Sequence, residues 1–307
     1  MRHDMAVSQH FMAWQCGPAL NNVFLYYLLQ NRKREFERIA AGSTIKTIGL
    51  PYFKELTVLC PPRPEQDRIA AALLDADALI DSLEQLLTKK RKIKEGAMQE
   101  LLTGKRRLPG LSRPWATRKL GEITTITMGR TPARLAESFW GIGHKWLSIA
   151  DLKGKVIADS KEEITDAGAE GMEQVPEGTL LMSFKLTIGR LSFAGCMLYT
   201  NEAICALRSP QVDKELLYYA LSRVDFSLFG KQAVKGYTLN KESLRNVEVL
   251  LPADPMEQRA IAQVLADLDT EIESLESRLI KARALKQAMA QALLTGRIRL
   301  VPEGAGA

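Results

Sequence analysis

Two stretches of the chain carry apolar side chains at alternating steps of four and three. Ile69, Leu73, Ala76, Ile80, Leu83 and Leu87 form one stripe, and Ile261, Leu265, Leu268, Ile272, Leu275 and Leu279 form the other. This spacing keeps each stripe on one helix face and matches a heptad seam. After a polar break the stripes resume at Ala97 and Leu101, and at Met289 and Leu293. Pro64 and Pro255 stand just ahead of Glu-Gln starts, where a helix tolerates proline, and Gly104 and Gly296 stand where a helix closes. The pattern predicts long helices over 61–104 and 253–296. A helix from Glu65 to Leu102 would run about 57 Å at 1.5 Å per residue.

The two stripes are copies. Residues 65–108 align without a gap with 257–300 at an offset of 192, with 22 of 44 positions identical. The similarity reaches upstream: LYYLLQ at 25–30 matches LYYALS at 217–222, and ELTVLCPPRPEQ at 55–66 echoes NVEVLLPADPMEQ at 246–258. A repeat of this kind decides the architecture before any motif does. Two amphipathic helices of equal length each supply the surface the other needs, so they are expected to pair with each other. Lys90, Lys94 and Lys286 interrupt the seam, with Ala282 opposite Lys90 in the alignment; they either fix the register or extend to solvent. Carboxylates such as Asp75, Asp77 and Glu84 read as a solvated helix face.

Between the helices, from Trp115 to Pro252, the texture changes to short apolar runs cut by glycine and proline: LGEITTI, KWLSIADL, GTLLMSF, LTIGRLSFAG and MLYTNEAICAL, then a helical stretch around Glu215 to Arg223. That texture predicts a mixed α/β domain over 115–252. KRRLPGLSRP, 105–114, reads as a linker, and 297–307 as a tail. The fold class is therefore α+β, a mixed α/β domain with two long helices pairing as an antiparallel coiled coil.

The 307 residues, 46% apolar and 25% charged, suit an ordinary globular chain of about two domains. The longest apolar run near the start, Val23 to Leu29, is far below the roughly 18 to 20 residues that span a bilayer, and no signal sequence precedes it. Cys16, Cys60, Cys196 and Cys205 show neither a disulfide framework nor metal-ligand spacing, which points to a reduced, cytoplasmic setting. Gly141-x-Gly143 lacks a dinucleotide frame, no phosphate-binding loop is present, and Pro61-Pro62 lacks the flanks of an amino-methyltransferase loop. His3, His10 and His144 have no ligating neighbours. No catalytic residue, metal or cofactor is expected.

A net charge of +6 is compatible with a polyanion. The candidate contacts lie in glycine-flanked basic segments: Gly129, Arg130, Thr131 and Arg134 in GRTPAR; Lys185 and Arg190 in FKLTIGR; Lys231, Lys235 and Tyr237 in KQAVKGYT; and Lys145. Lys and Arg neutralise phosphates, and Arg can read base edges in the major groove. Any single one of these residues reads more readily as turn decoration; the ensemble carries the reading. The basic run Lys89 to Lys94 either touches a DNA backbone or keeps one helix face soluble.

These features together resemble the specificity subunit of type I restriction-modification systems. The resemblance rests on the helix starts Pro61 to Gln66 and Pro255 to Gln258, the LLTG endings and the 192-residue repeat. Within 115–252 it rests on Trp115 through LGEI, Met128 to Pro132, Phe139-Trp140, Lys145-Trp146 running to Asp151-Leu152, Val175 to Thr179, Ile188-Gly189, Asn201, and Gly236 to Thr238. It implies a noncatalytic subunit that reads double-stranded DNA, docks methyltransferase subunits and through them joins a restriction motor-nuclease subunit. It further implies a bipartite target, with the helices spacing two target-recognition domains. Residues 1–60 match only the rear of such a domain, with Gln9 opposite Asn201 and GSTIKTI opposite the KGYTLN region. The expectation is a first domain represented by its C-terminal remnant, from a truncated or misassigned start or a genuine one-and-a-half-domain form, with unpaired strands and protease sensitivity in 1–60. The alternative function is an assembly scaffold that binds methyltransferase subunits without productive DNA recognition.

Overall fold

The computed structural model describes residues 11–40, 47–111, 113–229, 231–233 and 236–300, with backbone alone at 231–233 and 236–238. Three short helices, α1 (Asn22–Asn31), α2 (Lys33–Ile39) and α3 (Leu50–Glu55), precede the long α4 (Arg63–Leu101). The middle of the chain runs β1 (Trp115–Lys119), α5 (Leu120–Ile123), β2 (Thr125–Met128), β3 (Trp140–Leu147), β4 (Val156–Ile157), β5 (Glu162–Ile164), α6 (Asp166–Ala169), β6 (Leu180–Ser183), β7 (Leu191–Ala194), β8 (Tyr199–Thr200) and β9 (Ile204–Arg208). It continues through α7 (Lys214–Leu221), β10 (Lys231–Ala233), β11 (Gly236–Thr238), α8 (Lys241–Arg245) and β12 (Glu248–Pro252) to the long α9 (Pro255–Leu294). The chain divides into two compact units, 1–89 with 272–307, and 90–271. Each long helix contributes residues to both.

In the first unit, α1 is started by Asn21, whose side chain accepts from the N–H groups of Val23 and Phe24. Its Phe24, Tyr27 and Leu28 pack on Ile69, Ala70 and Leu73 of α4 and on Leu293 and Leu294 of α9. Further along, Ile80, Leu83 and Leu87 meet Ile272, Leu275 and Leu279, with Ala282 beside them. The cross-helix pairs run in opposite numerical order, Glu65 with Arg299, Asp77 with Lys286 and Glu84 with Arg283, so the helices are antiparallel. Ile69 and Leu73 thus serve a mixed core rather than a pure helix seam, and Ile261 and Leu265 do the same in the second unit, among Leu101, Leu102 and Leu216.

The second unit holds the middle domain, built on a five-stranded sheet of order β2-β9-β6-β7-β4 and a three-stranded sheet of order β5-β3-β8. Leu180, Met182, Cys205 and Leu207 are buried on one side of the larger sheet with α7, α8 and the long helices' residues. Leu181, Ala194, Ile204 and Ala206 are buried on the other, with Leu147 and Leu198. This is the period-2 alternation of a sheet covered on both faces. Two small elements complete the unit, β1 paired with β12 and the hairpin β10-β11.

The units repeat each other's polar contacts at the sequence offset. Glu65 receives Arg299 at 2.8 and 2.6 Å, and Glu257 receives Arg107 at 2.6 and 2.7 Å. Gln66 accepts the N–H of Asn21, and Gln258 that of Asp213. Tyr27 donates to Asp77, and Tyr219 to Asp269, both at 2.6 Å. Lys286 and Lys94 complete these two carboxylates.

Two expectations are corrected here and one open alternative is resolved. Asp77 does not belong to a solvated face: it is partly buried between Tyr27 and Lys286. The lysines that interrupt the seam reach carboxylates of the opposite long helix, Lys94 to Asp269, Lys286 to Asp77 and Lys90 to Glu271, rather than solvent alone. The described part of 1–60 carries three helices and no strand, and its buried apolar side chains are those of α1 packed on the long helices. Gln9 and most of the GSTIKTI segment lie outside the described residues.

Glu257 is fully buried while Arg107 keeps 30% side-chain exposure. Removing one partner of a buried pair costs about 3 to 5 kcal/mol, discounted here to about 2 to 4 because the arginine is partly wet. Glu257→Ala is therefore expected to lower unfolding free energy by about that amount in urea denaturation. Burial raises the carboxyl of Asp269, but hydrogen bonds from Lys94 and Tyr219 outweigh it and hold it below the ordinary range; Asp77 behaves likewise with Lys286 and Tyr27. A carboxyl depressed in the fold contributes stability above its unfolded pKa, about 4, and that stability disappears as pH falls through the lower folded value. Melting temperature should therefore drop as pH is taken below about 4, and Asp77→Asn with Asp269→Asn should flatten that drop in circular-dichroism melts.

Candidate nucleic-acid interface

The loops that carry the candidate DNA contacts are set by one backbone crossing. After β2 the chain passes directly over the turn between β8 and β9. A Cβ on Gly129 would lie 2.1 Å from the Thr200 carbonyl oxygen and 2.3 Å from that of Asn201, so only glycine fits. The crossing is stitched by the N–H of Arg130 donating to Thr200 O at 2.8 Å and that of Asn201 to Leu147 O at 2.9 Å. Gly129 thus holds the framework and is partly covered.

Beyond it, Thr131 donates its hydroxyl to Glu202. That hydroxyl is the main reason the Glu202 carboxyl lies below its ordinary range, with the charges of Lys185 and Arg134 adding to it. Thr131, Arg134 and Lys185 are therefore gathered around one carboxylate. Arg134 is held on its other side too: its guanidinium lies 4.1 Å from the ring centroid of Trp140 and 4.8 Å from that of Trp146, and it donates to Glu162 at 2.6 Å. Trp146 in turn donates its indole N–H to the carbonyl of Arg130 at 3.0 Å. A cation over two tryptophans and against a carboxylate is fixed in place.

The β6–β7 loop is a tight turn around Ser183, which donates to Thr187 and accepts from the N–H of Arg190 at 3.0 Å. At its tip Leu186 adopts φ +62° and is exposed. The N–H of Leu239 donates to Phe184 O at 3.0 Å, which ties the end of the β10-β11 hairpin to this loop. Backbone places Lys231 on β10 and Tyr237 on β11; Lys235 lies outside the described residues. Lys145 is apart from this group. On β3 it alternates with the buried Trp146, and its ammonium sits between Asp159 at 2.7 Å and Glu163 at 2.6 Å, whose hydrogen bonds push its pKa up.

The candidates thus divide by what they already bind. Arg134 and Lys145 have their charge met within the domain. Arg130 and Arg190 are exposed, and their guanidinium groups have no hydrogen bond or ion pair among the described residues. Sequence pattern did not single out Glu202, or Trp140 and Trp146 as a platform for Arg134. The Thr131–Glu202 pair spans 71 positions, and no local spacing announces it. Among the described residues no group of three or more His, Cys, Asp or Glu is placed to hold a metal, and no helix is long and apolar enough to cross a membrane.

Comparison with known proteins agrees with this architecture. Over 310 residues the chain is 24% identical to the type I restriction enzyme MjaVIII specificity subunit of Methanocaldococcus jannaschii, an alignment covering 93% of this chain and 72% of that protein. Its fold is similar to the crystal structure of a type I restriction-modification system S subunit from M. genitalium, with TM-score 0.61 at 18% identity over 90% of this chain and 73% of the other. The HsdS subunit from Thermoanaerobacter tengcongensis gives TM-score 0.52 at 21% identity, over 91% and 71%. Residues 2–94 and 112–282 match the family model described as the type I restriction modification DNA specificity domain, and the chain belongs to that family.

Proposed function

We propose that this chain is a noncatalytic DNA-reading subunit of a type I restriction-modification complex. In this reading residues 115–252 contact one half of a bipartite double-stranded target. The long helices dock methyltransferase subunits, through which a restriction motor-nuclease subunit joins, and the complex works in the cytoplasm. The observation that carries the reading is the pair of exposed arginines with no counter-charge among the described residues, Arg130 and Arg190, on loops fixed to one framework that also holds Lys185. A fixed loop with an unpaired guanidinium is suited to phosphate or to the paired acceptors of guanine. Thr131, Arg134 and Lys145 then act indirectly, by shaping the loops.

The test uses the full chain assembled with its methyltransferase subunits. Arg130→Ala with Arg190→Ala should reduce adenine methylation at the target motif by about tenfold or more, since a base or phosphate interaction of this kind supplies about 1 to 3 kcal/mol. It should also make the salt dependence of DNA binding shallower by about 0.9 for each phosphate no longer neutralised. Lys145→Ala should leave the salt slope unchanged. Unaltered methylation and slope in the double variant would place the interface elsewhere. Assembly with methyltransferase subunits but no motif methylation by the unaltered chain would identify an assembly scaffold instead.

A further inference from the structure

The internal repeat shows that one unit holds a tryptophan where the other holds a cavity. In the second unit the segment after α4 returns to place Trp115, the first residue of β1, against the start of α9. The Trp115 indole N–H donates to Glu257 Oε1 at 3.3 Å, and the Arg107 guanidinium lies 5.9 Å from its ring centroid. Trp115 stands opposite Pro252 in the β1–β12 register. Its ring lies so close to Gly104, at φ +69°, that a Cβ there would be 3.4 Å from it.

Every residue of that seat except the tryptophan has its counterpart in the first unit. Glu65 replaces Glu257, Arg299 replaces Arg107, Gly296 at φ +72° replaces Gly104, and Pro61 stands for Pro252. The carboxylate and guanidinium are joined in the same two-point manner. Between them lies a cavity of about 310 Å³, lined by Leu59, Cys60, Pro61, Glu65, Gly296 and Arg299 among others. A Cβ on Gly296 would meet only Leu59, at 3.8 Å. The open seat leaves two marks. Arg299 is 54% exposed against 30% for Arg107, and the N–H of Leu300 donates to Glu65 Oε1, the position taken by the indole N–H on Glu257. At the same offset the residue opposite Trp115 is Ala307, which offers no ring.

We propose that this cavity is a binding site for a tryptophan side chain at the head of an extended strand supplied by a partner polypeptide, a strand of the Trp115–Lys119 kind. The ring would lie on the Arg299 guanidinium, its N–H would donate to Glu65 and its strand would run along 57–61, as β1 runs along β12. The complementarity is chemical as well as steric: a buried carboxylate acceptor and a cation face together select an aromatic ring with an edge donor, and Trp115 in the matching seat of the second unit meets both with an indole. The inference does not depend on DNA reading by 115–252.

The probe is a synthetic peptide, RPWATRK, carrying a ¹⁵N-labelled indole and added to the full chain. Binding should shift the indole N–H saturably with Kd about 1 mM or tighter, and replacing its tryptophan by alanine should weaken binding about tenfold or more, as for truncation of an aromatic anchor. In a Cys16→Ser, Cys196→Ser chain, peptide at four times Kd should slow alkylation of the exposed Cys60 about fivefold by mass action. Cys60→Phe, which fills the cavity, should abolish the shift without lowering the melting temperature. The proposal fails if no saturable shift occurs, if both peptides bind alike, if Cys60 is not protected, or if Cys60→Phe binds as the parent does. It also fails if deleting 301–307 alone speeds Cys60 alkylation, which would show the chain's own tail in the seat, or if protection rises with chain concentration, which would show a second copy there.

Discussion

A buried carboxylate at the start of each long helix organises the chain around it. Glu65 and Glu257 lie in the first turns of α4 and α9, where the exposed N–H groups and the helix dipole favour negative charge. Neither could stay charged in an apolar setting without a partner. Each receives a two-point hydrogen bond from an arginine that follows the end of the opposite long helix, Arg299 and Arg107. The adjacent glutamines extend the lock: Gln66 and Gln258 accept from the N–H of the residue capping α1 and α7, and donate back to Pro61 and Pro252. Two adjacent side chains thus fix a helix start, the end of the antiparallel helix and the entry to a third helix.

The apolar seam could not do this alone. Ile80, Leu83 and Leu87 against Ile272, Leu275 and Leu279 are nearly interchangeable branched side chains, and shifting one helix by a heptad would bury much the same area. The Tyr–Asp–Lys contacts and the Glu–Arg pairs have no equivalent in a shifted register, so a slip would leave buried charges unpaired. These polar contacts define which register is allowed more than they add to total stability. Their repetition at one offset means that each unit is specified by the same rule.

The long helices and the duplication were legible because they rest on local spacing and on proline and glycine at helix ends. The mixed α/β character of 115–252 was legible as texture, but strand order was not: β2-β9-β6-β7-β4 depends on pairings far apart in sequence. Asp77 shows the limit. On a helical projection it lies beside the apolar stripe and reads as solvated; only Tyr27 and Lys286, 50 and 209 positions away, make it a paired and partly buried group. Gly129 was legible as a special residue, but its backbone crossing was not, since a glycine at a loop head looks the same whether it faces a ligand or another strand.

The same distinction separates framework from reader at the candidate interface. A loop charge is available to a polyanion only if the fold has not already used it, and sequence counts Arg130, Arg134, Lys145 and Arg190 alike. In the folded domain Arg134 is held by two tryptophans and Glu162, and Lys145 by Asp159 and Glu163; withdrawing either toward DNA would strand a carboxylate. Arg130 is under no such constraint, yet its backbone is clamped on both sides, by Thr200 through its N–H and by Trp146 through its carbonyl. A rigid backbone under a free side chain lowers the ordering entropy of a contact while leaving the side chain open to choose its acceptor. Substitutions at Arg130 and Arg190 therefore alter what the loops can meet without disturbing how they are held, whereas substitutions at Gly129, Trp146 or Glu202 disturb the holding itself.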